Sequence, residues 1–202
     1  MRSTSPSPKK SLPQTGHSAL LSASLRLLLL LPLLTAQIPP LALAAPEQTT
    51  AGEYELKAAM LYNLIKFVDW PSAAHSGAQA PRLLCVLGSD PFGNSLTSLA
   101  SKQTLNDRPV QVRHVQNDPS VRACQVLYIS SSERNHLGQI LSNLQSANVL
   151  TVGEMSQFAA RGGMVQFALQ DKKVHFDINL DAASHSGLKI SSRLLALAHI
   201  VK

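Results

Sequence analysis

From residue 53 onward, apolar and polar positions alternate in patterns that read as helices and strands in turn. After Glu53, Leu61, Leu64, Ile65 and Val68 recur at i, i+3, i+4 and i+7, the stripe of a helix with one buried face. Pro71 lacks an amide proton and clashes with the preceding turn, so it stops that helix, and 72–81 reads as a loop rich in Ala, Ser, Gly, Gln and Pro. Arg82 to Leu87 is a compact apolar run ended by Gly88, the pattern of a buried strand. Asp90 as N-cap, with Pro91 in the first turn, opens a helix to about Ser101. Val110, Val112 and Val115 mark a second strand and Cys124 to Ile129 a third. Ser130 and Glu133 then have capping-box spacing ahead of a helix with Leu137, Ile140, Leu141 and Leu144 on one face.

The last third continues the alternation. Asn148 to Val152 reads as a fourth strand, and Glu154 to Arg161 as a short helix with Gly162 at its left-handed cap. Val165, Phe167 and Leu169, then Val174, Phe176, Ile178 and Leu180, alternate strictly about a turn at Asp171 to Lys173, which predicts a hairpin with one dry face. A closing helix from Ser191 would place Leu194, Leu197, Ala198 and Val201 on one stripe. The expected fold is α/β: a single-domain mixed sheet of about six strands, parallel in its core with an antiparallel C-terminal hairpin, flanked by about five helices.

The first 44 residues follow a different logic. Arg2, Lys9, Lys10 and Arg26 form a basic lead without acids, followed by the apolar stretch from Leu27, broken at Pro32 and ended by Pro39 and Pro40. A membrane span needs about 20 apolar residues, and this stretch offers about ten. Ala42-Leu43-Ala44 supplies small residues where a signal peptidase reads, so 1–44 is expected to be a cleaved signal peptide. A flexible leader would occupy 45–52 and the domain 53–202. The product is expected to be soluble outside the cytoplasm.

Removing that lead changes the charge. Of 18 Lys+Arg, four precede residue 45, whereas all 12 acids follow it, leaving 14 bases against 12 acids. The basic balance of the whole chain is thus no footprint for nucleic acid. The chain has 2 cysteines, Cys85 and Cys124. An oxidising compartment favours their pairing, with two buried free thiols as the alternative.

Candidate chemistry is sparse. Gly88-Ser89-Asp90-Pro91-Phe92-Gly93-Asn94-Ser95 follows a strand and opens a helix, but Asn94 stands where a phosphate-binding loop needs Lys and Asp90 would repel phosphate. It reads as a capped turn. His175 and Asp177 share a strand face, with Asp181 and His185 beyond, yet their spacing matches no standard metal site. Ser130, Ser131 and Ser132 lack a hydrolase elbow and read as caps. No catalytic residue, metal or cofactor is expected.

Several motifs in fixed order do point to a family. Glu55 to Pro71 resembles the first helix and Trp-Pro stop of the YfiR family. Gly162-Gly163 before a strand, Phe176-Asp177-Ile178-Asn179 in the next, and Gly187-Leu188-Lys189-Ile190-Ser191-Ser192-Arg193-Leu194-Leu195 are similar to later family motifs. The Cys85/Cys124 placement is similar to the family's usual disulfide; a second cysteine pair found in some members is missing. The resemblance implies a periplasmic, usually dimeric regulator. It would bind the periplasmic sensor domain of an inner-membrane diguanylate cyclase and hold it inactive, with an outer-membrane lipoprotein able to sequester it. Repression would lower cyclic di-GMP and exopolysaccharide, and sequestration would release the cyclase and raise them. His175, Asp177 and Asn179 on the hairpin's polar face, with Lys189 and Arg193 beyond, are the candidate partner contacts. A different reading is a periplasmic small-ligand-binding or hydrolytic protein using the strand ends near Gly88 and Ser130.

Overall fold

Strands buried at nearly every position need cover on both faces, and three such strands take the middle of the sheet. In the computed structural model, which describes residues 47–71, 80–105, 107–171 and 173–201, these are β2 (Arg82–Leu87), β5 (Val126–Ile129) and β6 (Leu150–Gly153). The remaining elements are α1 (Glu47–Leu64), β1 (Val68–Asp69), α2 (Asn94–Lys102), β3 (Thr104–Leu105), β4 (Arg108–Val115), α3 (Leu137–Asn143), β7 (Val165–Gln170), β8 (Lys173–Asn179), α4 (Leu180–His185), β9 (Lys189–Ile190), α5 (Ser192–Leu195) and β10 (Ala198–Val201). An 8-stranded sheet runs in the order β10-β8-β7-β6-β5-β2-β4-β3. Its core from β4 through β7 is parallel. The β7–β8 hairpin is antiparallel, as its alternation predicts. β1 and β9 form a separate antiparallel ribbon that ties the end of α1 to the C-terminal segment.

Period-two alternation sorts the core into two layers. Leu84, Val86, Val126, Tyr128, Leu150, Val152, Val165, Phe167, Phe176 and Ile178 face one way and pack with Leu61, Tyr62 and Leu64 of α1 and with Ile65 in the 3-10 turn just after it. Cys85, Leu87, Leu127 and Ile129 face the other way and pack with Leu137 and Ile140 of α3 and with Phe158. The first layer spans nearly the whole sheet. The second covers only its middle, which leaves one face of β7, β8 and β10 to polar side chains.

The expected α/β class, parallel core and hairpin are all present, and four local readings need correction. α1 starts at Glu47, inside the stretch read as a leader; no proline stands between residues 47 and 53 to stop the helix from extending that way. Asp90 does not cap a helix at Pro91. Its Oδ1 accepts from Phe92 N at 2.7 Å, Gly93 takes a left-handed φ of 53°, and α2 waits until Asn94. Residues 154–161 form turns instead of a helix, because Gln157 sits at φ 62°, which a right-handed helix excludes. The closing helix is a single turn, α5. Its continuation becomes β10, an edge strand parallel to β8, where Ala198 and Ile200 sit beside Phe176 and Ile178. Leu197, assigned to the helix stripe, is 72% exposed. The segment 1–44 read as a signal peptide lies outside the described residues. Among these residues, no helix is long and apolar enough to cross a membrane.

Candidate functional site

The expected disulfide is formed: Cys85 and Cys124 are joined within the second core layer, both buried. Cys85 points into that layer because it alternates with Leu84 and Val86. Cys124 ends the 3-10 turn Pro119–Ala123 that leads into β5. The bond is therefore a staple between β2 and the turn that leads into its parallel neighbour β5.

The five candidate partner residues do not form one patch. His175 and Asp177 lie on the uncovered face of β8, opposite Phe176 and Ile178. His199 of β10 joins them through register, its Nδ1 3.5 Å from Asp177 Oδ1. Asn179 shares their parity but turns inward, and its place on a polar surface is corrected. It is buried, its Oδ1 accepts from Ala182 N at 2.8 Å to cap α4, and its Nδ2 donates to Ala159 O at 2.8 Å. Lys189 pairs in register with Asp69 across the small ribbon, and Arg193 is exposed on α5. That segment packs through Leu188 and Leu194 on the first core layer, on the other side of the sheet from His175. Trp70 packs on the same layer, with the Arg82 guanidinium 5.9 Å from its ring centroid.

In an open α/β sheet, ligands enter at the carboxyl ends of strands where the winding direction reverses. Here the reversal falls between β2 and β5, at Gly88 and Ser130. Protein atoms already occupy that place. A Cβ on Gly88 would lie 2.3 Å from Ser132 Oγ, and Ser89 N donates to the same oxygen at 3.0 Å. Ser130 is spent as a cap on the following 3-10 turn. Asp90 Oδ2 lies 2.7 Å from His114 Nε2, joining the ends of β2 and β4. This filling weighs against a ligand or hydrolytic cleft between Gly88 and Ser130.

Beside it lies a polar cluster that the periodicity does not announce. Lys57, in α1, is 4% exposed. Its Nζ sits 2.5 Å from Glu53 Oε1 and 2.6 Å from Glu154 Oε2, and Tyr54 Oη donates to Glu154 Oε1 at 2.9 Å. Burial works against the lysine's charge, but the bonds to Glu154 and Glu53 outweigh it and hold its pKa above the ordinary 10.5. Tyr128 stands behind them with its hydroxyl buried and unpartnered among the described residues. Burial first, and then the nearby Glu154 carboxylate, push its phenol far up. The Phe92 ring stacks edge-on against both Tyr54 and Tyr128, with centroids 6.0 and 4.7 Å away. The only sequence signal for the cluster was Lys57 on the buried side of the helix stripe. Its geometry is that of an interior lock. Every charged group is paired, and the N-terminal half of α1 is pinned over the strand ends.

Comparison with known proteins gives two kinds of likeness. The profile of the YfiR/HmsC-like family matches residues 54–199, from the middle of α1 into β10. Among solved structures, a conserved domain protein from Vibrio cholerae O1 biovar El Tor is similar with a TM-score of 0.54 and 13% identity, covering 74% of this chain and 60% of its own. An ABC domain from Streptococcus pneumonia, in complex with L-Trp, is similar with a TM-score of 0.50 and 10% identity, covering 73% of this chain and 60% of its own. The chain thus spans 60% of the length of each. At these identities the likeness is one of fold alone.

Proposed function

This chain belongs to the YfiR/HmsC-like family, and from that premise we propose that it is a non-catalytic periplasmic repressor. It binds the periplasmic sensor domain of an inner-membrane diguanylate cyclase and holds the enzyme inactive, which lowers cyclic di-GMP and exopolysaccharide output. The observation that carries the reading is the family match over nearly the whole described domain. Two features of the molecule agree with it. The disulfide suits an oxidising compartment, and the strand-end crevice, where an α/β enzyme places its chemistry, is filled by Ser132 and flanked by the Lys57 cluster.

A repressor of this kind works by population shift. It biases the sensor only by its differential affinity for the inactive and active conformations. The contact face we assign is the uncovered side of β8 and β10, with His175, Asp177 and His199, together with the outer edge of β10. Leu197 and Ile200 are exposed along that edge, at 72% and 38%. An edge strand offers unpaired backbone groups, and exposed apolar side chains beside it supply contact area. Lys189 and Arg193 would form a second, separate contact. A homodimer and capture by an outer-membrane lipoprotein belong to the same proposal.

The test is deletion of the gene together with capture by the purified protein. Loss of the protein should raise cyclic di-GMP, and the purified protein should retain the cyclase's periplasmic domain on a column. Unchanged cyclic di-GMP with no retention would reject the reading, as would turnover of a metabolite by the protein alone.

A further inference from the structure

Between α3, the turn at Arg161–Gly162 and α4 lies a groove of about 550 Å³, within the range of small-molecule sites. Its floor is apolar: Leu144 and Met164 are buried there, and Leu141 lines one wall. Thr151 lies at the base, and its Oγ1 is already engaged by Met164 N at 3.1 Å. The ionisable residues of the lining are Arg161 and His185, with no carboxylate among them. The Arg161 guanidinium makes no hydrogen bond or ion pair among the described residues. His185 Nδ1 lies 2.6 Å from Asp181 O. A carbonyl only accepts, so Nδ1 carries the proton and Nε2 remains for another partner.

The walls of this groove are braced. Asn148 Nδ2 donates to Ser186 O at 2.7 Å, tying the loop after α3 to the end of α4. That loop holds Ser146 at φ 58° and Asn148 at φ 55°. Asn adopts this region readily, whereas Ser does so less often and is held there by its surroundings. A groove held open in this way has little ordering cost left at binding.

We propose that the groove is a site for a small amphipathic organic anion. The acidic head group, a carboxylate or a phosphate, docks on the Arg161 guanidinium, which favours forked acceptors, and the apolar body lies against Leu141, Leu144 and Met164. The inference stands apart from the repressor reading, because it concerns the protein alone.

The experiment titrates the intact protein with octanoate, following backbone amide shifts by NMR, with 1-octanol and acetate as head-less and tail-less controls. Octanoate should shift amides around Gly138, Gly162 and Ala182 and saturate with a Kd of about millimolar or tighter, as roughly ten non-hydrogen atoms allow. Both controls should bind about tenfold more weakly or worse. Arg161→Gln, an exposed change, should cost about tenfold as well. Gly138→Phe should weaken binding: Gly138 lines the groove and a Cβ there meets nothing within 4 Å, so the ring is accommodated at its rim without displacing the fold. Octyl phosphate in parallel separates a phosphate preference from a carboxylate one. The proposal is overturned if both anions fail to bind, if octanol matches octanoate, if Arg161→Gln binds like the wild type, or if the shifts map elsewhere.

Discussion

Replacing Glu154 by Leu tests whether the cluster behind α1 is an interior lock or an ordinary surface ion pair. Glu154 accepts from Lys57 Nζ at 2.6 Å and from Tyr54 Oη at 2.9 Å. Lys57 has almost no access to water, so its charge depends on its partners. Removing one member of a buried pair costs about 3–5 kcal/mol. Glu53 still neutralises Lys57 here, so the low end applies, about 3 kcal/mol, with roughly 1 kcal/mol more for the lost hydroxyl bond. For a domain of this size that total corresponds to a fall in Tm of about 10 °C, read by thermal and urea denaturation followed by circular dichroism. Lys57→Met provides the control. Once the ammonium is gone, Glu154→Leu should cost much less, so the double variant should fall short of the sum of the singles by about 1–3 kcal/mol. If Glu154→Leu costs under about 1 kcal/mol and the two changes simply add, the cluster behaves as a solvated pair and the reasoning fails.

Three further outcomes are expected. Lys57 lies above its ordinary 10.5, and Tyr62 and Tyr128 above 10.0 through burial. The stability that Lys57 contributes is therefore whole below pH 10.5 and fades as pH rises through its folded value, while the unfolded tyrosines release protons first from about pH 10. The urea midpoint of the wild type should drop more steeply between pH 10 and 12 than that of Lys57→Met; parallel curves would contradict this. Replacing Cys85 and Cys124 together by Ala should cost about 4 kcal/mol, the chain-entropy value for a loop closed over a separation of 39 residues, as read by urea denaturation. Asn179→Ala should cost about 1–3 kcal/mol through its cap and its buried bond, whereas His175→Ala, Lys189→Ala and Arg193→Ala should stay within about 0.5 kcal/mol. Retention of the cyclase sensor domain by those three surface variants then separates recognition from folding.

The sequence was most legible where one rule decides the outcome. Strict alternation made β7 and β8 a hairpin, and unbroken apolar runs made β2 and β5 central strands. Readings failed where two rules compete. The stripe Leu194, Leu197, Ala198 and Val201 fits a helix, but Ile200 and Val201 also suit a strand, and the open edge of β8 offers backbone partners that a helix cannot use. Asp90-Pro91 is a good helix start in isolation, yet burial of Phe92 between Tyr54 and Tyr128 draws the chain inward before the helix can begin. Asn179 kept the parity of a surface residue, and only the start of α4 directly after it makes it a buried cap. The cluster of Glu53, Tyr54, Lys57, Tyr128 and Glu154 joins residues up to 101 positions apart (from Glu53 to Glu154), which no local pattern can bring together.

The residues that carry the family resemblance are those from which the fold demands most. Gly162 takes φ 98°, and a Cβ on Gly163 would lie 2.1 Å from the Phe158 ring, so the pair is fixed by a left-handed turn and a seated aromatic. Gly187 takes φ 71° where a Cβ would meet Asn148 Nδ2 at 2.9 Å. Ser191 caps α5, and its amide donates to Phe67 O at the end of the first helical segment. In Phe176-Asp177-Ile178-Asn179, the apolar pair builds the core and Asn179 holds α4. Of that motif only Asp177 is left facing outward. Scaffolding residues identify a fold with force, but a partner is recognised by the positions that scaffolding leaves free. On the face proposed for the partner, His175, Asp177, His199, Leu197 and Ile200 are such positions. The repressor reading is thus inherited through the scaffold, and substitutions on the β8–β10 face that leave stability untouched are the ones that can establish it.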